Sequence, residues 1–267
     1  MGIKIGTQDI GKVYVGTTEI AKIYKGTELV YSASPSPQPA LSNKIYGHTR
    51  SASSTITLKV NGTSYSVTSD ASKYFELDCS NITITSLNQC AYSQGQLGDI
   101  TFDVDTSNCT DFSYMCGSAY ATKFDLSKVD MSKATNFAAM FYNCQSATTI
   151  IPPENGYQHA YNLNSTQFMF YNCRNITSFD MSALGNINYV ASMNGMFQAC
   201  SNLESIDFSG VEGIEPNTAT NMFSGCTSLD SIKVANVGSG VVAFLLARLS
   251  DAGLSFVQSG DYLIPQS

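Results

Sequence analysis

Eight cysteines and two histidines are the residues in this chain best suited to hold a metal or to act as nucleophiles. Their spacing argues against both roles. Zinc sites draw on close ligand pairs such as Cys-x-x-Cys; no such pair occurs, and His48 and His159 stand far apart. Cys144, Cys173, Cys200 and Cys226 lie 29, 27 and 26 residues apart, each closing a Met-Phe-x-x-Cys motif. Stacked repeats could bring such thiols within bridging distance. A small thiol beside Phe on an apolar stripe is better read as a core filler, so we expect free cysteines, no metal and no cofactor. There is no Gly-rich phosphate loop, nucleophile elbow or metal-spaced histidine cluster. A carboxylate pair assembled only in three dimensions is the one catalytic arrangement left open. The chain reads as non-enzymatic.

Two sets of polar residues are candidates for ligand binding. Asp103, Asp125, Asp180 and Asp207 each follow an apolar residue, and Lys233 takes that place in the last copy. Stacked at the roughly 4.8 Å spacing of neighbouring strands, such carboxylates need solvent or a cation to offset their repulsion. Either a solvated row with local Asx hydrogen bonds or a calcium or glycan contact surface fits Asp125, Asp180 and Asp207. Tyr142-Asn143 and Tyr171-Asn172 sit between Phe and the apolar Cys, so they should face outward. Tyrosine beside an amide suits sugar stacking or a protein partner, and equally suits packing against the next repeat. A segment from Pro152 to Tyr161 lengthens the widest repeat and brings Tyr157 and Tyr161 to a position where solenoid insertions often make contacts.

The elements that must position these residues follow from the motif. Its copies, at Met140-Phe141, Met169-Phe170, Met196-Phe197 and Met222-Phe223, recur at a solenoid period. Phe137, Met140, Phe141 and Cys144 fall at i, i+3, i+4 and i+7, which predicts a two-turn helix. Apolar residues then recur three and six positions past Cys, at Ile176 and Phe179, Leu203 and Ile206, and Leu229 and Ile232, predicting a short strand. Helix plus strand per repeat defines an α/β class, a leucine-rich-repeat-like solenoid over residues 102–237. Residues 44–101 read as a β-rich N-terminal cap, with a hairpin at Asn61-Gly62 and a further strand at Asn81–Thr85. Residues 238–267 read as a C-terminal cap, with a helix over Val241 to Leu249 and a strand over Leu254 to Ile264.

The first 31 residues carry their own repeat, in which a Gly-Thr turn precedes a β-branched residue and Tyr. This predicts a β-meander too small to be stable alone, so it should dock on a partner through Ile10, Val13, Tyr14, Ile20, Ile23, Tyr24, Val30 and Tyr31. A Pro/Ser-rich spacer over 32–43 follows. Basic residues number 14 against 21 acidic, a net charge near −7 with no basic run, which argues against nucleic acid. No apolar stretch is long enough to span a bilayer. After Lys4, Gly6, Thr7, Gln8 and Asp9 leave no apolar run of signal-peptide length, so secretory export is not expected.

Phe124-Asp125-Leu126-Ser127 through Ala138-Ala139-Met140-Phe141, and Phe102-Asp103-Val104 through Tyr114-Met115, resemble the unit of BspA-like leucine-rich repeats over residues 102–234. That resemblance implies a surface adhesin that binds host proteins, glycans or other cells. The Gly-Thr…Ile-Tyr meander resembles N-terminal segments of tailed-bacteriophage structural proteins, including those of crAss-like phages. The pair of resemblances implies a virion protein of fibre or decoration type and a homo-oligomer, for which a trimer is the expected form. Residues 1–31 would hold it to other virion proteins of capsid or tail, and the repeats would face a host-surface glycan or protein. The alternatives are a bacterial cell-surface adhesin and a structural spacer that binds nothing.

Overall fold

The computed structural model describes residues 41–154, 163–184, 187, 190–211, 213–214 and 216–266, together with the strand backbones within 1–40. The chain divides into two compact units, Met1–Ala40 and Leu41–Ser267. In the first, three antiparallel two-stranded ladders follow one another: β1 (Ile3–Ile5) with β2 (Gln8–Ile10), β3 (Tyr14–Val15) with β4 (Thr18–Glu19), and β5 (Lys22–Lys25) with β6 (Glu28–Ser32). Of the candidate docking residues, Val13 and Ile20 lie outside the described residues. Ile10, Tyr14, Ile23, Tyr24, Val30 and Tyr31 lie in these strands, whose backbone alone is described.

The second unit is a capped solenoid. At its start β7 (Lys44–Thr49) lies between β10 (Tyr74–Asp78) and β11 (Leu97–Asp103), antiparallel to both. From β11 the sheet continues in parallel through β12 (Lys123–Asp125) to β13 (Thr149–Ile151). A second parallel sheet runs through β14 (Ser178–Asp180), β15 (Ser205–Asp207) and β16 (Ser231–Lys233). The hairpin of β8 (Thr55–Val60) and β9 (Thr63–Thr68) turns at Asn61 and Gly62, both with positive φ (49° and 81°). Its buried Ile56, Leu58 and Val60 cover the first coil, and Lys59 and Asn61 donate their N–H groups to the Cys90 and Ser86 carbonyls of that coil. Asn81–Thr85 does not form the expected strand. The Asn61 carboxamide oxygen accepts the Thr85 and Ser86 N–H groups instead, tying this segment to the hairpin turn.

The motif segments also depart from expectation. They are not helices: among the described residues the α-helix α1 (Ser239–Asp251) is the only one, with a 3-10 turn at Met181–Leu184. Each motif instead runs through successive tight turns. Met140, Tyr142 and Cys144 donate to carbonyls three residues back, while Phe137, Ala139, Phe141 and Asn143 donate to Ser165, Gln167, Met169 and Tyr171 of the next coil. Half of the N–H groups that a helix would satisfy internally thus join one coil to the next. The geometry needs two left-handed residues per coil, four apart: Ala139 and Asn143, Phe168 and Asn172, Gly195 and Ala199, Asn221 and Gly225. Apolar spacing of three and four fits this turn run as well as it fits a helix. Parallel bridges through Ser86, Asp111, Asn136, Ser165, Ser192 and Thr218 form a second ladder, which begins one coil before the first Phe-x-x-Met segment.

Inside, the phenyl rings of Phe141, Phe170, Phe197 and Phe223 stack in sequence at 5.6, 5.5 and 6.2 Å, within 7° of parallel. Beside them all eight cysteines are buried and free. Cys144, Cys173, Cys200 and Cys226 donate their thiols to the carbonyls of Cys116, Phe141, Phe170 and Phe197 at 3.0–3.1 Å. At the far end α1 buries Val241, Leu245 and Leu249, spaced at four residues. Beyond it, the segment expected as one strand is a hairpin, β17 (Phe256–Ser259) and β18 (Tyr262–Pro265), with β18 antiparallel to β16.

Candidate binding site

A strand buries every second residue, so β14, β15 and β16 turn Phe179, Ile206 and Ile232 toward the core and leave two outward ranks. One is Ser178, Ser205 and Ser231; the other is Asp180, Asp207 and Lys233, in register. The antiparallel β18 places Tyr262 opposite Lys233, and β17 places Ser259 opposite Tyr262. With Leu263 inward, Tyr262 and Ile264 share the outward face, and Val257 pairs with Ile264. Tyr262, Ile264 and Val257 are 44%, 37% and 38% exposed, large values for such side chains. The sheet face is therefore polar over the repeats and apolar at the hairpin. A concavity of about 340 Å3 opens over it, with Tyr262 as one wall.

The charges on this face are partly arranged. Lys233 Nζ bonds Asp207 Oδ2 at 3.0 Å, and Ser209 N–H donates to Asp207 Oδ1 at 2.7 Å. Burial works to raise the Asp207 pKa, yet the bonds from Ser209 and Lys233 hold it below the usual carboxylate range. The hydrogen bond to Asp207 raises that of Lys233. Asp180 is the counterpart of Asp207 one coil earlier.

The row of aspartates is not continuous. Asp125 stands in register with Thr101 and Ile151, and Asp103 with Lys44. In β11 both Ile100 and Phe102 are buried; it is Ile100 that aligns with Phe124, so Asp103 falls two residues beyond the rank. Asp125 accepts the Ser127 N–H and pairs with Lys123 at 3.5 Å, a local Asx arrangement. Among the described residues no three His, Cys, Asp or Glu side chains converge as a metal site.

Tyr142 and Tyr171 stack at 4.8 Å and 8°, and the row extends through Tyr114 to Tyr92. Asn172 donates to Asn143, and Asn143 to Ser118, in a parallel amide row. The Tyr142–Tyr171 stack covers one face of each ring, and the Tyr114 and Tyr92 contacts are tilted and edge-on. Tyr157 and Tyr161 lie outside the described residues. Tyr262 and the serine rank escaped sequence reasoning. The Ser-x-Asp, Ser-x-Asp, Ser-x-Lys recurrence at 178–180, 205–207 and 231–233 is a signal for the serines. Nothing local marks Tyr262, because its place depends on the pairing of β18 with β16.

A family model described as a BspA type leucine-rich repeat region, in six copies, matches residues 68–182 and 119–239. Comparison with curated proteins and with solved structures gives no match.

Proposed function

The chain belongs to the BspA-type leucine-rich repeat family, and from that premise we propose that it is an adhesin-like binding scaffold acting through the outward face of β14, β15, β16 and β18. Leucine-rich-repeat solenoids typically serve as non-enzymatic scaffolds, their stacked strands offering one extended face. The observation that carries the reading is the in-register Ser and Asp/Lys ranks running into exposed Tyr262, a mixed polar and apolar surface of the kind that recognises partners.

The finer reading is a virion protein that residues 1–31 anchor to capsid or tail and whose repeats meet a bacterial surface glycan or protein. It rests on the resemblance of the N-terminal segment; the successive hairpins β1–β2, β3–β4 and β5–β6 are in step with the repeated Gly-Thr turns. A trimer would raise weak contacts to useful avidity. The alternative is the same scaffold on a bacterial cell surface.

The test compares the full chain with an Asp207→Ala/Lys233→Ala/Tyr262→Ala variant for binding to intact bacterial cells. Loss of binding at an unchanged melting temperature supports the face; undiminished binding removes it. A parallel pull-down with the full chain and with residues 1–31 deleted, from phage-infected and uninfected lysates, decides the anchor. Capture of a capsid or tail protein only by the full chain supports the virion reading, and equal capture by both chains rejects it.

A further inference from the structure

We infer that the concavity over β14–β16 takes a neutral saccharide, with an apolar sugar face against Tyr262 and neighbouring hydroxyls held by Asp207 and Lys233. The inference rests on the proposed binding face and names its ligand. The first argument is size. About 340 Å3 lies near the lower end of small-molecule sites, roughly 300–1,000 Å3, which suits one or two sugar rings. A standard protein partner covers about 800 Å2 on each side and has no need of a pocket.

The second argument is chemistry. A sugar carries adjacent hydroxyls, each able to donate and to accept. The Asp207–Lys233 pair presents an acceptor and a donor 3.0 Å apart, with side chains 34% and 40% exposed. One hydroxyl donates to Asp207 while its neighbour accepts from Lys233. Because the carboxylate is already held by Lys233 and the Ser209 N–H, little ordering remains to be done on binding. Ser205 and Ser231, in register on the adjoining rank, add groups that both donate and accept. The third argument is the wall: Tyr262 is exposed beside these polar groups, and the C–H face of a pyranose matches an aromatic ring.

An extended peptide is a poorer occupant. β15 and β16, which carry Asp207 and Lys233, have ladder partners on both sides, so a peptide added as a strand at the β14 end of the sheet would lie beyond β15 and leave this pair uncovered. The net charge near −7 opposes acidic sugars at a distance, which favours neutral hexoses and N-acetylhexosamines.

The experiment is an array of immobilised glycans probed with the full chain, followed by calorimetric titration of the best soluble saccharide into wild type, Tyr262→Ala and Asp207→Asn. The expected result is a neutral glycan bound by wild type and weakened about tenfold by each substitution, with melting temperatures unchanged. Absence of any glycan signal, or equal binding by all three chains, overturns the inference. If the cell binding described above is lost in the triple variant while no sugar competes for it, the face stands and the saccharide alone is wrong. If the triple variant still binds cells and no sugar binds, both fall.

Discussion

Cys173 shows how a single residue type serves this solenoid. Its thiol reaches the Phe141 carbonyl of the preceding coil at 3.0 Å, a contact that neither Leu nor Ala could make. The cysteines are thus weak donors and small hydrophobes at once, and burial removes their reactivity. It pushes the thiols of Cys90, Cys109 and Cys226 from an ordinary value of 9.0 up to about 12. The raised folded values mean that the unfolded chain loses these protons first as pH rises. Their contribution to stability is complete below about pH 9 and is lost progressively from there toward 12. Urea denaturation followed by circular dichroism should therefore give the same midpoint at pH 7 and 8 and a lower one at pH 10. An aromatic disulfide reagent at pH 8 should leave the native thiols untouched until denaturant is added; rapid reaction of the native chain would contradict the burial.

At the scale of elements, the left-handed pairs separate the turn run from a helix. Asn143, Asn172, Asn221, Gly195 and Gly225 are residue types that tolerate positive φ. Gly195, at φ 56°, also lies under the Phe168 ring, and a Cβ added there would stand 2.4 Å from Phe168 Cε1. Gly195→Ala combines that collision with backbone strain and should cost about 2–3 kcal/mol in chemical denaturation. Adding Phe168→Ala removes the ring from that collision, leaving the movable Gln198 carboxamide oxygen at 2.8 Å, and should return part of the loss. A double-mutant cycle with no coupling would show that the ring does not rest on the glycine. By the same reasoning a helix-favouring change such as Asn172→Ala should not stabilise the chain, because the segment is not helical.

For the whole molecule, the decisive feature is that both ends of the array are closed. The β8–β9 hairpin and β7 cover one end, and α1 with the β17–β18 hairpin covers the other. Val241, Leu245, Leu249 and Leu263 are fully buried in the second cap. At roughly 1.5–3 kcal/mol each, their burial is comparable to the ~5–15 kcal/mol net stability of a domain. Truncation after Gly238 should also free the β16 edge for pairing with another chain. The shortened chain should elute from size exclusion as aggregates or fail to express in soluble form; a stable monomer would show that the cap is dispensable.

The amino-acid sequence by itself determined the period, the buried stripe of Met, Phe and Cys, the free thiols, the inward Ile206 and Ile232, the Asn61-Gly62 hairpin and a C-terminal helix, read over Val241 to Leu249 and found over Ser239–Asp251. Each depends on residue type and local spacing, and burial follows spacing whichever element carries it. Whether Phe137 to Cys144 would be helix or turn run was decided by tertiary structure, because the competing hydrogen-bond acceptors belong to Ser165, Gln167, Met169 and Tyr171 in the next coil. The candidate site divides the same way. Asp180, Asp207 and Lys233 were legible as one rank, since they occupy equivalent repeat positions. Displacement of Asp103 from that rank and the arrival of Tyr262 beside Lys233 came only with strand register, and the stacking of Tyr142 on Tyr171 only with the register of one turn run on the next. Register is set between segments distant in the chain, where the pairing that buries most apolar surface prevails over local pattern.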